Sequence, residues 1–254
     1  MTYDPRTLGA ECDRCPLGPN GCLRDREWRP LEPELHPTDG FPTATVVAVM
    51  AHPSEDDTRR SFIFAGREGA EWGRWLSGVG LARSHIDLIP AYSCQPPGKD
   101  SSATNRLNSA LRRKRKAAAQ RLRSEDPKLS AAAAGVQAKE LYPHPAECCA
   151  PRLKKELSHY QYVITLGRLA AASVLGTTEK MSKIEGSMHE RTQISDQMKA
   201  VATYSPKFIC AKQSRRPGAI ASLSKAFRFF RGETRWTEPE WTWQPSAAEL
   251  REWL

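Results

Sequence analysis

The feature that most constrains this chain is a repeated alternation of short, almost wholly apolar runs with amphipathic stretches. "TVVAVM" at 45–50 reads as a buried strand, and the following "GAEWGRWLSGVGL" places Trp72, Trp75, Leu76 and Val79 at helical spacing. "IDLIPAYS" at 86–93 reads as a second strand, and "PRLKKELSHY" as a helix. "YVITLG" at 162–167 is a third strand, followed by a helix over "RLAAASVLG", and "AVATYS" at 200–205 is a fourth strand. Strands separated by helices can pair only through crossovers. The sequence therefore predicts an α/β fold, a three-layer α/β/α sandwich around a central, largely parallel four-stranded sheet.

Between Lys99 and about Glu147 this rhythm breaks into "NRLNSALRRKRKAAAQRLRSEDPKLSAAAAGVQAKE". Leu107, Leu111, Ala118 and Leu122 form a helical stripe beside the cationic block Arg112, Arg113, Lys114, Arg115 and Lys116, which reads as an inserted arm able to clamp phosphate. The organisation expected is one α/β domain over 1–235 with a basic insertion at about 99–147. A Trp-rich strap follows at 236–254, holding four of the seven tryptophans. The net charge of +9 favours a polyanionic partner. No apolar run reaches a membrane span and the N-terminus lacks signal-peptide order, so a cytoplasmic protein with no membrane partner is expected.

Seven cysteines in that compartment are poor candidates for structural disulfides, so the Cys12/Cys15 pair reads first as metal or cluster ligands. The first strand ends in "VMAHPSEDD" at 49–57, which gathers a histidine, a proline and three acids. Strand ends of this kind are where α/β proteins place ligands.

The order "ECDRC", acidic loop, "FAGREG", "CQPPG", "CCAPRL", "VITLGRLAAASVLG" and "TYSPKFI" resembles the uracil-DNA glycosylase superfamily, most closely its iron–sulfur family 4. The likeness spans roughly residues 10–230 apart from the basic insert. It implies a 4Fe-4S cluster on Cys12, Cys15, Cys94 and Cys149, with Cys148 as the neighbouring alternative to Cys149 and zinc as the competing metal. Cys22 and Cys210 are expected to be ordinary buried thiols. Phe64, eleven residues after Pro53, matches the family's base-stacking ring.

Three positions depart from the family. Its loop glutamate falls on Ala51, its uracil-reading asparagine on Pro90, and the histidine of its His-Pro motif on Ser205. Proline offers no side-chain hydrogen bond, so the base-binding positions Ala51, Phe64 and Pro90 imply a wider and differently polar pocket. His52, Glu55, Asp56 and Ser205 remain as catalytic candidates for directing water and steadying an oxocarbenium-like sugar. Lys207, Phe208, Arg215 and Arg216 resemble a loop that enters the minor groove, with Lys207 and the arginines on phosphate and Phe208 or Ile209 as a wedge.

The expected function is monofunctional excision of an enlarged, modified pyrimidine from double-stranded DNA by a monomer. Antiphage relatives that remove glucosylated hydroxymethylcytosine are the nearest parallel. Ordinary uracil repair and a non-catalytic modified-DNA-binding module are the alternatives.

Overall fold

The computed structural model describes residues 3–24, 27–35, 46–97 and 103–233. The expected Trp-rich strap at 236–254 lies outside them. Strands β1 (Val46–Met50), β2 (Asp87–Pro90), β3 (Tyr162–Leu166) and β5 (Lys199–Thr203) pair in parallel, and the two-residue β4 (Met188–His189) adds an antiparallel edge. The sheet order is β2-β1-β3-β5-β4, which makes five strands rather than the four expected from sequence. β4 has no apolar run of its own; its partner β5 defines it.

Helices α1 (Glu55–Arg60) and α2 (Arg67–Gly78) follow β1, and α5 (Pro145–Leu157) and α6 (Arg168–Leu175) flank β3. α7 (Met181–Ile184) precedes β4; α8 (Pro206–Ala211) and α9 (Arg216–Phe230) follow β5. Side chains alternate across the sheet as pleating requires. Val46, Ala48 and Met50 face Trp72, Trp75 and Leu223, whereas Val47 and Val49 face Leu153, Leu157 and Val174. Both faces of the sheet are thus covered by helices, giving the α/β/α sandwich, and the strand runs are apolar on both sides for that reason.

The basic insertion folds as an antiparallel pair, α3 (Ala103–Glu125) and α4 (Ala131–Leu141). Only Ala103, Leu107 and Leu111 of α3 are buried, all in its first half. At about 1.5 Å per residue the 23-residue helix runs some 34 Å, so its far half stands clear of the sheet with α4 packed along it. Arg115 is part of that packing, because its Nε donates to the Tyr142 carbonyl at 2.8 Å.

The β2–β1–β3 order reverses chain direction across the sheet next to β1. The carboxyl ends of β1, β3 and β5 therefore open one crevice.

Candidate active site

The junction after β1 is not a loose acidic loop but the start of a helix. Ser54 caps α1 reciprocally with Asp57: Ser54 N–H donates to Asp57 Oδ2 at 2.9 Å, and Asp57 N–H to Ser54 Oγ at 3.2 Å. The other oxygen of Asp57 accepts from the Ala65 N–H at 2.8 Å, tying down the next turn. The three acids thus divide by role. Asp57 is buried and structural, Glu55 is half-buried on the first turn, and Asp56 faces a cavity while pairing with Arg59. Gly66 makes room for Asp56, since a Cβ there would sit 2.7 Å from its Oδ2.

His52 lies under this turn and is buried. Its Nδ1 lies 2.9 Å from the Pro53 carbonyl, which can only accept, so Nδ1 carries the proton and donates. Nε2 then accepts from the Thr104 hydroxyl at 2.7 Å. Burial pushes the His52 pKa down to about 4, opposed by the Pro53 contact, so the ring is neutral at physiological pH. Its face stacks on Tyr92 at 5.2 Å between centroids.

The cavity above Asp56 has a volume of about 490 Å³. Asp56, Glu68, Lys207 and Ser205 line it from the sheet side, and Thr104 and Asn105 from the first turn of α3. Lys207 Nζ lies 3.9 Å from Glu68 Oε1. Phe208 also faces the cavity, its ring stacked on Tyr204 at 4.6 Å. Thr104 and Asn105 are shared with a second cavity of about 600 Å³, lined among others by Asn108, His144 and Arg168. The insertion therefore stands with its first turn between two adjoining spaces.

The structure brings Asp56, Ser205, Lys207 and Phe208 together, and His52 joins them through Thr104. Ser205 does not begin a loop, as the sequence suggested: it caps α8, its Oγ accepting from the Phe208 N–H at 3.2 Å. Gly167 abuts it at φ 92°, where an added Cβ would approach the Ser205 Cβ to 3.2 Å. Phe64 is 3% exposed and packs against Trp72 at 6.3 Å; its turn at φ 53° tucks the ring under α2, away from the cavity lining. Ala51 and Pro90 are likewise not among the lining residues, and the Pro90 carbonyl is occupied by buried Arg152.

Arg216 forms a two-point ion pair with buried Glu71, at 2.6 and 2.9 Å, binding α9 to α2. Arg215 is exposed, as are Arg112, Arg113 and Lys114 on α3. Sequence reasoning missed Glu68, Thr104 and Asn105. Glu68 lay in the "FAGREG" stretch, which had been considered only for its phenylalanine. Thr104 and Asn105 lay in an insertion read for its charge.

Cys12, Cys15, Cys94, Cys148 and Cys149 are all buried in one cluster with Leu17 and Tyr92. Gly18 allows the Cys12–Cys15 turn to close, because a Cβ there would fall 1.8 Å from the Cys12 carbonyl oxygen. Cys12, Cys15, Cys94 and Cys149 lie within electrostatic reach of one another, and Cys148 is a free thiol beside Cys15. Burial pushes the Cys12 thiol up to about 12 and raises Cys94 and Cys149 as well. Gly18 N–H donates to the Cys15 carbonyl at 2.9 Å, closing the turn that carries both cysteines. Among the described residues no three Cys, His, Asp or Glu side chains close around the position of a single metal ion. Cys22 is exposed and Cys210 half-exposed at the cavity wall, so neither is the buried thiol expected.

No helix among the described residues is long and apolar enough to cross a membrane. No curated protein matches the chain. The family described as the uracil DNA glycosylase superfamily matches residues 37–230, which takes in the sheet, the insertion and every residue lining the two cavities. On that match over most of its length, and with the crevice where an α/β sheet places a ligand, the chain belongs to the uracil DNA glycosylase superfamily, whose members are glycosylases acting on DNA.

Proposed function

We propose that the protein extrudes an enlarged, modified pyrimidine from double-stranded DNA and hydrolyses its N-glycosidic bond, leaving an abasic site without cutting the strand. Glucosylated hydroxymethylcytosine of phage DNA is the substrate best suited, and antiviral defence the setting. The observation that carries the reading is the pair of adjoining cavities. Each lies within the roughly 300–1,000 Å³ typical of clefts for drug-sized ligands, more than a bare pyrimidine ring needs. Polar groups at their shared wall can meet a substituent. Uracil repair is less well supported, because Pro90 presents neither a side-chain donor nor a free carbonyl.

In this reading breakage of the C1′–N bond sends the electron pair to the departing base and positive charge to the sugar. Asp56 and Glu68 offer the carboxylates that steady that charge and take a proton from the attacking water. Lys207 and Asn105 supply donors toward the anionic base. His52, neutral and fixed as the Nδ1–H tautomer, serves to hold the turn rather than to act as a cation. Phe208 is the ring placed to meet the base or fill its vacated stack. The exposed Arg112, Arg113, Lys114 and Arg215 track the phosphates, with the protein acting as a monomer. The binding-module alternative draws on the two carboxylates being ion-paired, Asp56 with Arg59 and Glu68 with Lys207. Base release from glucosylated and uracil-containing duplexes separates the three readings.

We further infer that Cys12, Cys15, Cys94 and Cys149 hold a 4Fe-4S cluster. Four thiols buried in one cluster, and orphaned buried polar atoms on Tyr92, Ser93 and Gln95 beside Cys94, support a metal-bound thiolate group. When bound, the group would supply cross-linking, tying the N-terminal segment to the end of β2 and to α5.

A further inference from the structure

Two buried donors face the thiols without a partner. The Tyr92 hydroxyl is fully buried and has no hydrogen bond among the described residues, although it lies within electrostatic reach of the Cys15, Cys94 and Cys149 sulfurs. The Trp28 indole N–H is also buried without a partner, and Trp28 packs against the same cysteine cluster. A protonated thiol is a weak acceptor, and a buried donor left unpaired costs stability. A metal-bound thiolate is a charged acceptor and would satisfy both.

The Tyr92 ring also meets two histidines. It stacks on His52 at 5.2 Å with 28° between planes, and meets His144 edge-on at 5.9 Å. His52 immediately precedes the Pro53–Ser54 turn that launches α1 and Asp56, and its far nitrogen is held by Thr104. One side chain thus touches both the thiol cluster and the histidine beneath the cavity.

We propose that Tyr92 is a positioning residue that joins the two. Its hydroxyl donates a hydrogen bond to a sulfur of the group held by the cysteines, and its ring, anchored in that way, holds His52 and the turn that carries Asp56. The inference rests on the reading that the cysteines hold a metal group. It does not depend on which base is released.

The test uses the full-length holoprotein as wild type, Tyr92→Phe and Tyr92→Leu, with iron and acid-labile sulfide measured first. Tyr92→Phe removes the hydroxyl and keeps the ring. It should retain the wild-type iron and sulfide content while shifting the reduction potential and the metal–sulfur vibrational bands. Tyr92→Leu removes the stack, and should displace the His52 ring resonances and lower base release at least tenfold. A Tyr92→Phe protein with unchanged potential and bands overturns the hydrogen bond, whether or not the leucine variant folds. Unmoved His52 resonances in a folded Tyr92→Leu protein overturn the link to the crevice. A wild type without metal removes the cofactor reading and this inference together, whereas a metal-loaded wild type indistinguishable from Tyr92→Phe removes this inference alone.

Discussion

His52 shows how one side chain can be both chemically quiet and thermodynamically costly. It is buried, neutral, and donates and accepts one hydrogen bond each. Its folded pKa of about 4 lies below the unfolded value near 6.5, so the unfolded chain binds the extra proton first. Its contribution is therefore fully present above about pH 6.5, and is lost as pH falls toward 4, by roughly 3 kcal/mol. Denaturant unfolding at pH 7.5 and 4.5 should show this loss, and His52→Asn should flatten it. At the cavity, the two carboxylates are expected to differ from their neighbour Glu55. Asp56→Asn and Glu68→Gln should each lower the single-turnover rate by about 10²–10⁴-fold, the range for a positioned acid–base group, while Glu55→Gln changes it little. From sequence alone Glu55 is a stronger candidate than Asp56. Only the helical phase of α1 separates them, sending Asp56 to the cavity wall and Asp57 inward.

At the scale of elements, the strands and main helices were legible because apolar runs and 3.6-residue stripes are local signals. Those that escaped were short or defined by partners. β4 is two residues long, and α8 begins at a Ser-Pro pair that had suggested a loop but serves as N-cap and first helical residue. The insertion was visible as a cationic stretch. Its role at the site was not, because Thr104 and Asn105 reach the cavity only through the burial of Ala103, Leu107 and Leu111 against the rest of the fold. Gly167 should be the most sensitive point of the β3–α6 junction. Gly167→Ala puts a Cβ on a backbone at φ 92°, ψ 172°, a region essentially restricted to glycine, at a cost of roughly 1–3 kcal/mol, and crowds Ser205, so both thermal stability and base release should fall. At the middle of α3, replacing Arg112, Arg113 and Lys114 with Gln should weaken DNA binding uniformly across sequences. Each lost phosphate contact should reduce the salt slope by about 0.9. Fluorescence anisotropy at several salt concentrations reads both effects.

The whole molecule combines a sheet that presents a crevice with two additions to its edges: a thiol-bearing N-terminal segment and a helical insertion. The N-terminal segment is held to α5 through the Glu11 N–H donating to the Cys148 carbonyl at 2.9 Å, in addition to its buried cysteines. On the proposal that the cysteines hold a cluster, its removal by chelation should lower the melting temperature and expose residues 3–24 to protease before the sheet unfolds, as limited proteolysis would show. The superfamily was legible because its motifs are collinear, but the site was only half legible. The resemblance pointed to Ala51, Pro90 and Ser205, of which only Ser205 lines the cavity, and the sequence could not reveal that Glu68, Thr104 and Asn105 gather around that space. The account's central claim is that this space serves an enlarged base. Its most direct test counts abasic sites formed by the wild type and Asp56→Asn on matched duplexes carrying glucosylated hydroxymethylcytosine or uracil. Release from the glucosylated duplex alone, lost in the variant, is the expected result; release from uracil alone, or binding to both with release from neither, would contradict it.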